Sequence, residues 1–144
     1  MALRLFIVRL VTRPILVPIG VGSFGLWYGG FDVAYIVSRK IALTLDSKLP
    51  AQTSQTNRII SSLAGVSAGS LFSYLNYSSS PFKNVEFPEL RMKSVFRDLP
   101  QYIKSNMKVL KNLNVNKGIL VFVSSGFISG FSKCVVETYL SHHV

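Results

Sequence analysis

Two acids and a set of regularly spaced glycines carry most of what this sequence can say about chemistry. Asp32 stands inside an apolar run, PILVPIGVGSFGLWYGGFDVAYIV, with no other charge near it. Glu137 stands near the end of another, GILVFVSSGFISGFSKCVVETYL. A carboxylate buried in a bilayer costs about 2.5–3.5 kcal/mol on insertion scales, so such a group must face protein or water, or sit near an end. Two placements satisfy this for Asp32: an interfacial one, paired with Arg39 or Lys40, and a hydrated groove between helices. On the second placement Glu137 joins Asp32 as a candidate acidic groove.

The glycines recur at helical spacing. Gly22, Gly25 and Gly29 fall on one helix face, Gly65 and Gly69 are four apart, and so are Gly126 and Gly130. Lipid offers helices no hydrophobic reason to associate, whereas small residues let backbones approach closely. These seven glycines are therefore expected to be helix-packing positions.

No catalytic constellation accompanies them. His142 and His143 form a terminal pair without a neighbouring acid or cysteine at ligand spacing, and the single Cys134 excludes an intrachain disulfide. No phosphate-binding glycine loop and no nucleophile–base set is visible. No enzyme activity, metal or cofactor is expected.

The elements that would hold these residues follow from hydropathy. Of the 144 residues, 49% are apolar and only 15% charged, with mean hydropathy +0.37. Soluble domains average about 25% charged residues, so an ordinary soluble enzyme is a poor fit. A transmembrane helix needs roughly 17–25 mostly apolar residues. Three stretches approach this: 14–37, 59–77 and 118–140. The expected fold is all-α and integral to the membrane, with about three glycine-rich transmembrane helices in a single domain over 14–140 and a basic tail over 1–13. The tail, MALRLFIVRLVTR, is acid-free and arginine-bearing. It reads either as a mitochondrial presequence or as an uncleaved signal-anchor, and retention is favoured.

The net charge of +10 sits in the connectors. The tail has three basic residues and the second connector, 78–117, has eight, against four in the first connector, 38–58, whose LPAQTSQTN reads as a polar loop. The positive-inside rule places the tail and second connector inside. Ser78–Pro81 is a turn signal, and Pro88 and Pro100 are read as breaks. Beyond them Ile103, Met107 and Leu110 share a helix face beside Lys104, Lys108 and Lys111. Such an amphipathic helix either lies among lipid headgroups or packs on a partner subunit. These lysines and Arg39 are candidate contacts to anionic lipid such as cardiolipin, or to other membrane subunits. Without interleaved aromatics, nucleic acid is not an expected partner.

The strings GVGSFGLWYGGFDVAYIVSRK and NRIISSLAGVSAG together resemble the core of the Tim translocase superfamily of the mitochondrial inner membrane, whose relatives include peroxisomal proteins and respiratory-complex accessory subunits. The matching positions are Ser23, Phe24, Trp27, Gly29, Gly30, Phe31, Asp32 and Arg39, then Asn57, Ile60, Gly65 and Gly69. The resemblance covers about 20–75; family members usually have four spans, where three are expected here. It implies a multi-pass protein of the mitochondrial inner membrane, ahead of the peroxisomal membrane. It further implies a component of a preprotein translocase that guides polypeptides across or into the membrane, with Asp32 at an acidic position of a lipid-open groove. The alternative it implies is a non-catalytic structural or assembly subunit of a respiratory-chain complex.

Overall fold

The computed structural model describes residues 1–76, 85–91 and 95–143. Among them the fold is all-helical: α1 (Ala2–Thr12), α2 (Leu16–Leu45), α3 (Gln55–Leu75), α4 (Val95–Lys111) and α5 (Val115–His143). The expected turn at 78–81 and Tyr77, the last residue of the expected second span, lie outside the described residues.

α5 is the centre of the fold. It packs along one side against α2 and along another against α3, and these are the two extensive helix contacts. The sequence of α5 explains how one helix serves two neighbours. Ser125–Gly126 and Ser129–Gly130 repeat at a spacing of four, and each pair is split between the two sides. Gly126 and Gly130 meet α2: a Cβ on Gly126 would overlap the Trp27 carbonyl, and one on Gly130 would overlap that of Phe31. Ser125 and Ser129 meet α3, where Gly65 and Gly69 make room for them. The Ser125 hydroxyl donates to the Gly69 carbonyl at 2.9 Å and accepts from Ser73 Oγ at 2.7 Å. Because both sides are occupied by small residues, α5 shows no single apolar stripe, unlike a surface helix.

The outward surfaces are apolar. Val21, Phe24, Ile36, Leu63, Leu71, Phe131 and Val135 are all exposed. By length and composition α5 alone is able to cross a membrane; α1 and α2 pass that test only together, as a pair bent by 107°. Among the described residues, therefore, one of the three expected spans meets the requirement by itself, a second only together with α1, and the third, α3, does not. α3 falls short because serines at 61, 62, 67, 70 and 73 replace aliphatic side chains.

The boundaries also move. The break between α1 and α2 comes at Arg13–Pro14, where proline disfavours helical backbone in the residue before it; the Arg13 backbone is at φ −129°, ψ 68°. The basic tail is therefore a separate helix set nearly at right angles to α2. α2 itself continues eight residues past Val37 and takes in Arg39 and Lys40, so these belong to the helix and not to the connector. Pro100 does not break α4. It lies in the second turn, where its missing N–H removes a single ladder bond.

α4 and α1 are joined at the start of α2. The Leu90 N–H donates to the Thr12 carbonyl at 2.7 Å, the Ile15 N–H donates to Tyr102 Oη at 3.3 Å, and Arg13 pairs with Glu89 at 3.0 Å. α4 buries Tyr102 and Asn106, while Phe96, Ile103 and Met107 stay exposed. Of the face expected to be apolar, Ile103 and Met107 are thus turned outward, while Leu110 is half-buried and lines a cavity with Ile19 and Leu26 of α2 and Ile119 and Phe122 of α5.

Candidate functional site at the first connector

The polar residues of the interior collect where the first connector crosses the end of the helix layer. Glu137, on α5, is 1% exposed. Its Oε2 accepts from the Tyr35 hydroxyl at 2.7 Å, and its Oε1 accepts from Thr53 Oγ1. An acid in an apolar helix needs donors, and α2 and the connector each supply one.

Arg39 lies one turn beyond Tyr35 on α2 and is 8% exposed. Its Nη2 donates to the Pro50 carbonyl at 2.7 Å, while its buried Nη1 has no hydrogen-bond partner. Arg39 and Glu137 do not form an ion pair, whereas Arg13–Glu89 and His142–Asp46 do. Leu49 is buried beneath the same connector, and His142 meets Asp46 at 3.0 Å. The connector, read from sequence as a plain polar loop, is tied down at Asp46, Pro50 and Thr53.

A cavity of about 270 Å³ remains between these elements, lined by Tyr35, Arg39, Ala51, Gln52, Thr53, Arg58 and Glu137. Arg58 also lines an open groove of about 600 Å³ that runs along α3 past Ile59, Ser62, Leu63 and Val66 to Lys133. The Lys133 ammonium lies 4.2 Å from the Tyr35 ring centroid and 5.6 Å from that of Phe31. A cation over an aromatic face is favoured by the ring quadrupole. The end of the layer therefore sets three cations about one enclosed acid.

Several expected site residues lie elsewhere. Asp32 is exposed and is not among the residues that enclose Glu137, so the two do not form one acidic groove. The reason is helical phase: the side of α2 that meets α5 carries Trp27, Gly30, Phe31 and Ala34, and Asp32 lies off that side. Gly22, Gly25 and Gly29 have nothing within 4 Å of a built Cβ, and it is Gly30 that meets α5, 2.8 Å from the Val123 carbonyl. Gly65, Gly69, Gly126 and Gly130 do lie at the crossings. Arg39 is no surface contact, since its guanidinium is folded inward onto Pro50. Lys104, Lys108 and Lys111 are exposed on α4.

Tyr35, Thr53, Arg58 and Lys133 were not singled out from sequence. A signal existed for Tyr35 and Arg39, which stand at i and i+4 on α2 and so share a helix face. No group of three or more His, Cys, Asp or Glu side chains gathers among the described residues. Comparison of the chain with protein-family models, with curated proteins and with solved structures finds no match.

Proposed function

We propose that the chain is a non-catalytic, multi-pass subunit of the mitochondrial inner membrane, Tim-like in build, that helps guide polypeptides across or into the membrane. In this reading α2, α3 and α5 span the bilayer in alternating directions. The first connector faces the intermembrane space, and α1 and α4 lie on the matrix side. The exposed apolar flanks of a layer held together by glycine crossings support this reading, because only lipid or other membrane subunits would cover them.

The observation that carries the guiding role is Asp32. It is exposed on α2 among exposed Tyr28, Val33 and Ile36, with no ion pair or hydrogen bond among the described residues. A carboxylate facing acyl chains is too costly to leave without a use. This flank is therefore a wet one, open to a passing chain. Replacing Asp32 with Asn and measuring precursor import into isolated mitochondria tests the role. Slower import at a normal protein level is expected; unchanged import removes it.

One observation favours a second reading, a structural or assembly subunit of a respiratory-chain complex. Glu137, the other acid of the expected groove, is enclosed and held by two hydroxyls. Companions purified with the tagged protein in mild detergent and identified by mass separate the two roles. On either reading α4 rests in the headgroup layer, with Phe96, Ile103 and Met107 toward the acyl chains and its lysines toward anionic lipid such as cardiolipin.

A further inference from the structure

A guanidinium that is more than nine-tenths buried normally has every N–H engaged, because a buried donor left without an acceptor loses its hydration and gains nothing. Arg39 departs from this. One arm of its fork is bound to Pro50, the other is buried without a partner, and the cavity of about 270 Å³ lies beside it. The same cavity is lined by Arg58, an exposed residue of α3 with no ion pair among the described residues. Its third feature is the start of α3. Ser54 caps that helix through Asn57 N, and Thr53 and Arg58 on either side of its first turn border the cavity, where the helix dipole is positive.

The guest that suits these features has acceptors only, is negative and is small. A cation is disfavoured because Arg39 and Arg58 line the same cavity, and each oxygen of Glu137 already accepts from a hydroxyl, of Tyr35 or of Thr53. The Glu137 carboxylate opposes an anion, but it is one charge against the two arginines. A planar fork with a spare edge is the geometry that binds phosphate oxygens well.

We propose that this cavity binds a phosphate-type oxyanion between the spare Nη1 of Arg39 and the guanidinium of Arg58. The group comes either from free phosphate or from a lipid headgroup at the rim of the helix layer. The site depends on how the connector packs and not on any role of Asp32, so it stands or falls apart from polypeptide guidance.

The test uses the full chain purified in detergent, with thermal unfolding followed against inorganic phosphate, against short-chain phosphatidic acid in the micelle, and against chloride at matched ionic strength. A saturable stabilisation by phosphate assigns a free oxyanion; one seen only with phosphatidic acid assigns the headgroup. In Arg58→Gln, an exposed and structurally mild change, half-saturation is expected to move up by about tenfold, the loss of one charge-assisted contact. Arg39→Lys keeps the charge but loses the fork, and is expected to abolish saturation. No stabilisation beyond the chloride control, or an identical titration in Arg58→Gln, overturns the site.

Discussion

Tyr35 donates its phenolic hydrogen to Glu137 at 2.7 Å across the α2–α5 crossing, joining residues 102 positions apart in the chain. Thr53 reaches the other oxygen of the same carboxyl from the connector. A single acid thus fastens two helices and the segment between α2 and α3. Removing one donor leaves the acid enclosed and less well satisfied. Tyr35→Phe is expected to destabilise the fold by about 1.5–3 kcal/mol, the range for hydrogen bonds to charged groups. Thr53→Val is expected to act more locally, loosening the connector. Limited trypsin digestion checks this: cleavage after Lys48 should quicken in Thr53→Val while the helices remain intact.

The glycine crossings make a sharper prediction, because the same substitution should have opposite signs at neighbouring positions. A methyl on Gly126 meets the Trp27 carbonyl and a methyl on Gly130 meets that of Phe31. Backbone cannot rotate away, so Gly126→Ala and Gly130→Ala are each expected to cost about 1–3 kcal/mol through forced separation of the helices. Gly25→Ala meets nothing within 4 Å and removes a flexible residue from a helix interior. It is expected to stabilise α2 by about 0.5–1 kcal/mol. Thermal unfolding of the three variants in one detergent decides the matter.

Where the sequence was legible, the reason was spacing. Gly65/Gly69 and Gly126/Gly130 are isolated pairs at i and i+4, and a pair at that spacing can hardly avoid sharing a face. α2 offered no such uniqueness. Gly29 and Gly30 are adjacent, a rotation of about 100° apart on the helix, and hydropathy is similar on every side. Which of them meets a neighbour depends on the phase imposed by α5, through Trp27, Phe31 and Ala34. The expected meeting of Asp32 with Glu137 fails for the same cause, since the face on which Asp32 lies follows from that phase. Arg39 was assigned to the connector because apolar character falls off at Ser38, yet helical backbone continues to Leu45. Its burial depends on Pro50, a contact that no local pattern announces. The perpendicular turn before α2 was marked by Pro14, but unbroken hydropathy from tail to span hid it.

Ser125 and Ser129 are one turn apart on the face of α5 that meets α3, and they differ in what their hydroxyls do. Ser125 Oγ donates to the Gly69 carbonyl and accepts from Ser73. Ser129 Oγ is buried without a partner, in the space that Gly69 leaves open. Ser125→Ala should therefore cost about 0.6–1.7 kcal/mol, from the average to the largest coupling found for interhelical hydrogen bonds by double-mutant cycles in a membrane protein. Ser129→Ala should be neutral or slightly stabilising. Gly69→Ala should be partly rescued by Ser129→Ala, because the hydroxyl is the nearest group to the added methyl. Complete additivity in a double-mutant cycle would show that the two positions do not meet.

The joint between α1, α2 and α4 has one strong tie and one weak one, and the two can be told apart by salt. Glu89 is largely exposed, with 62% of its side chain accessible, so its 3.0 Å pair with Arg13 is worth at most about 1 kcal/mol and is screened by added salt. Tyr102 is buried and its hydroxyl takes up the Ile15 N–H, one of the amides at the start of α2 that no helical carbonyl can reach. Tyr102→Phe leaves that amide inside without an acceptor, whereas Glu89→Gln only weakens a surface contact. Hydrogen exchange resolved along the chain reads the difference. Tyr102→Phe should raise the exchange rate at residue 15 and through α1 at every ionic strength, and Glu89→Gln should do so only in low salt. If both variants respond alike, the joint is held by the 2.7 Å backbone bond from Leu90 to Thr12, and the side chains merely follow it.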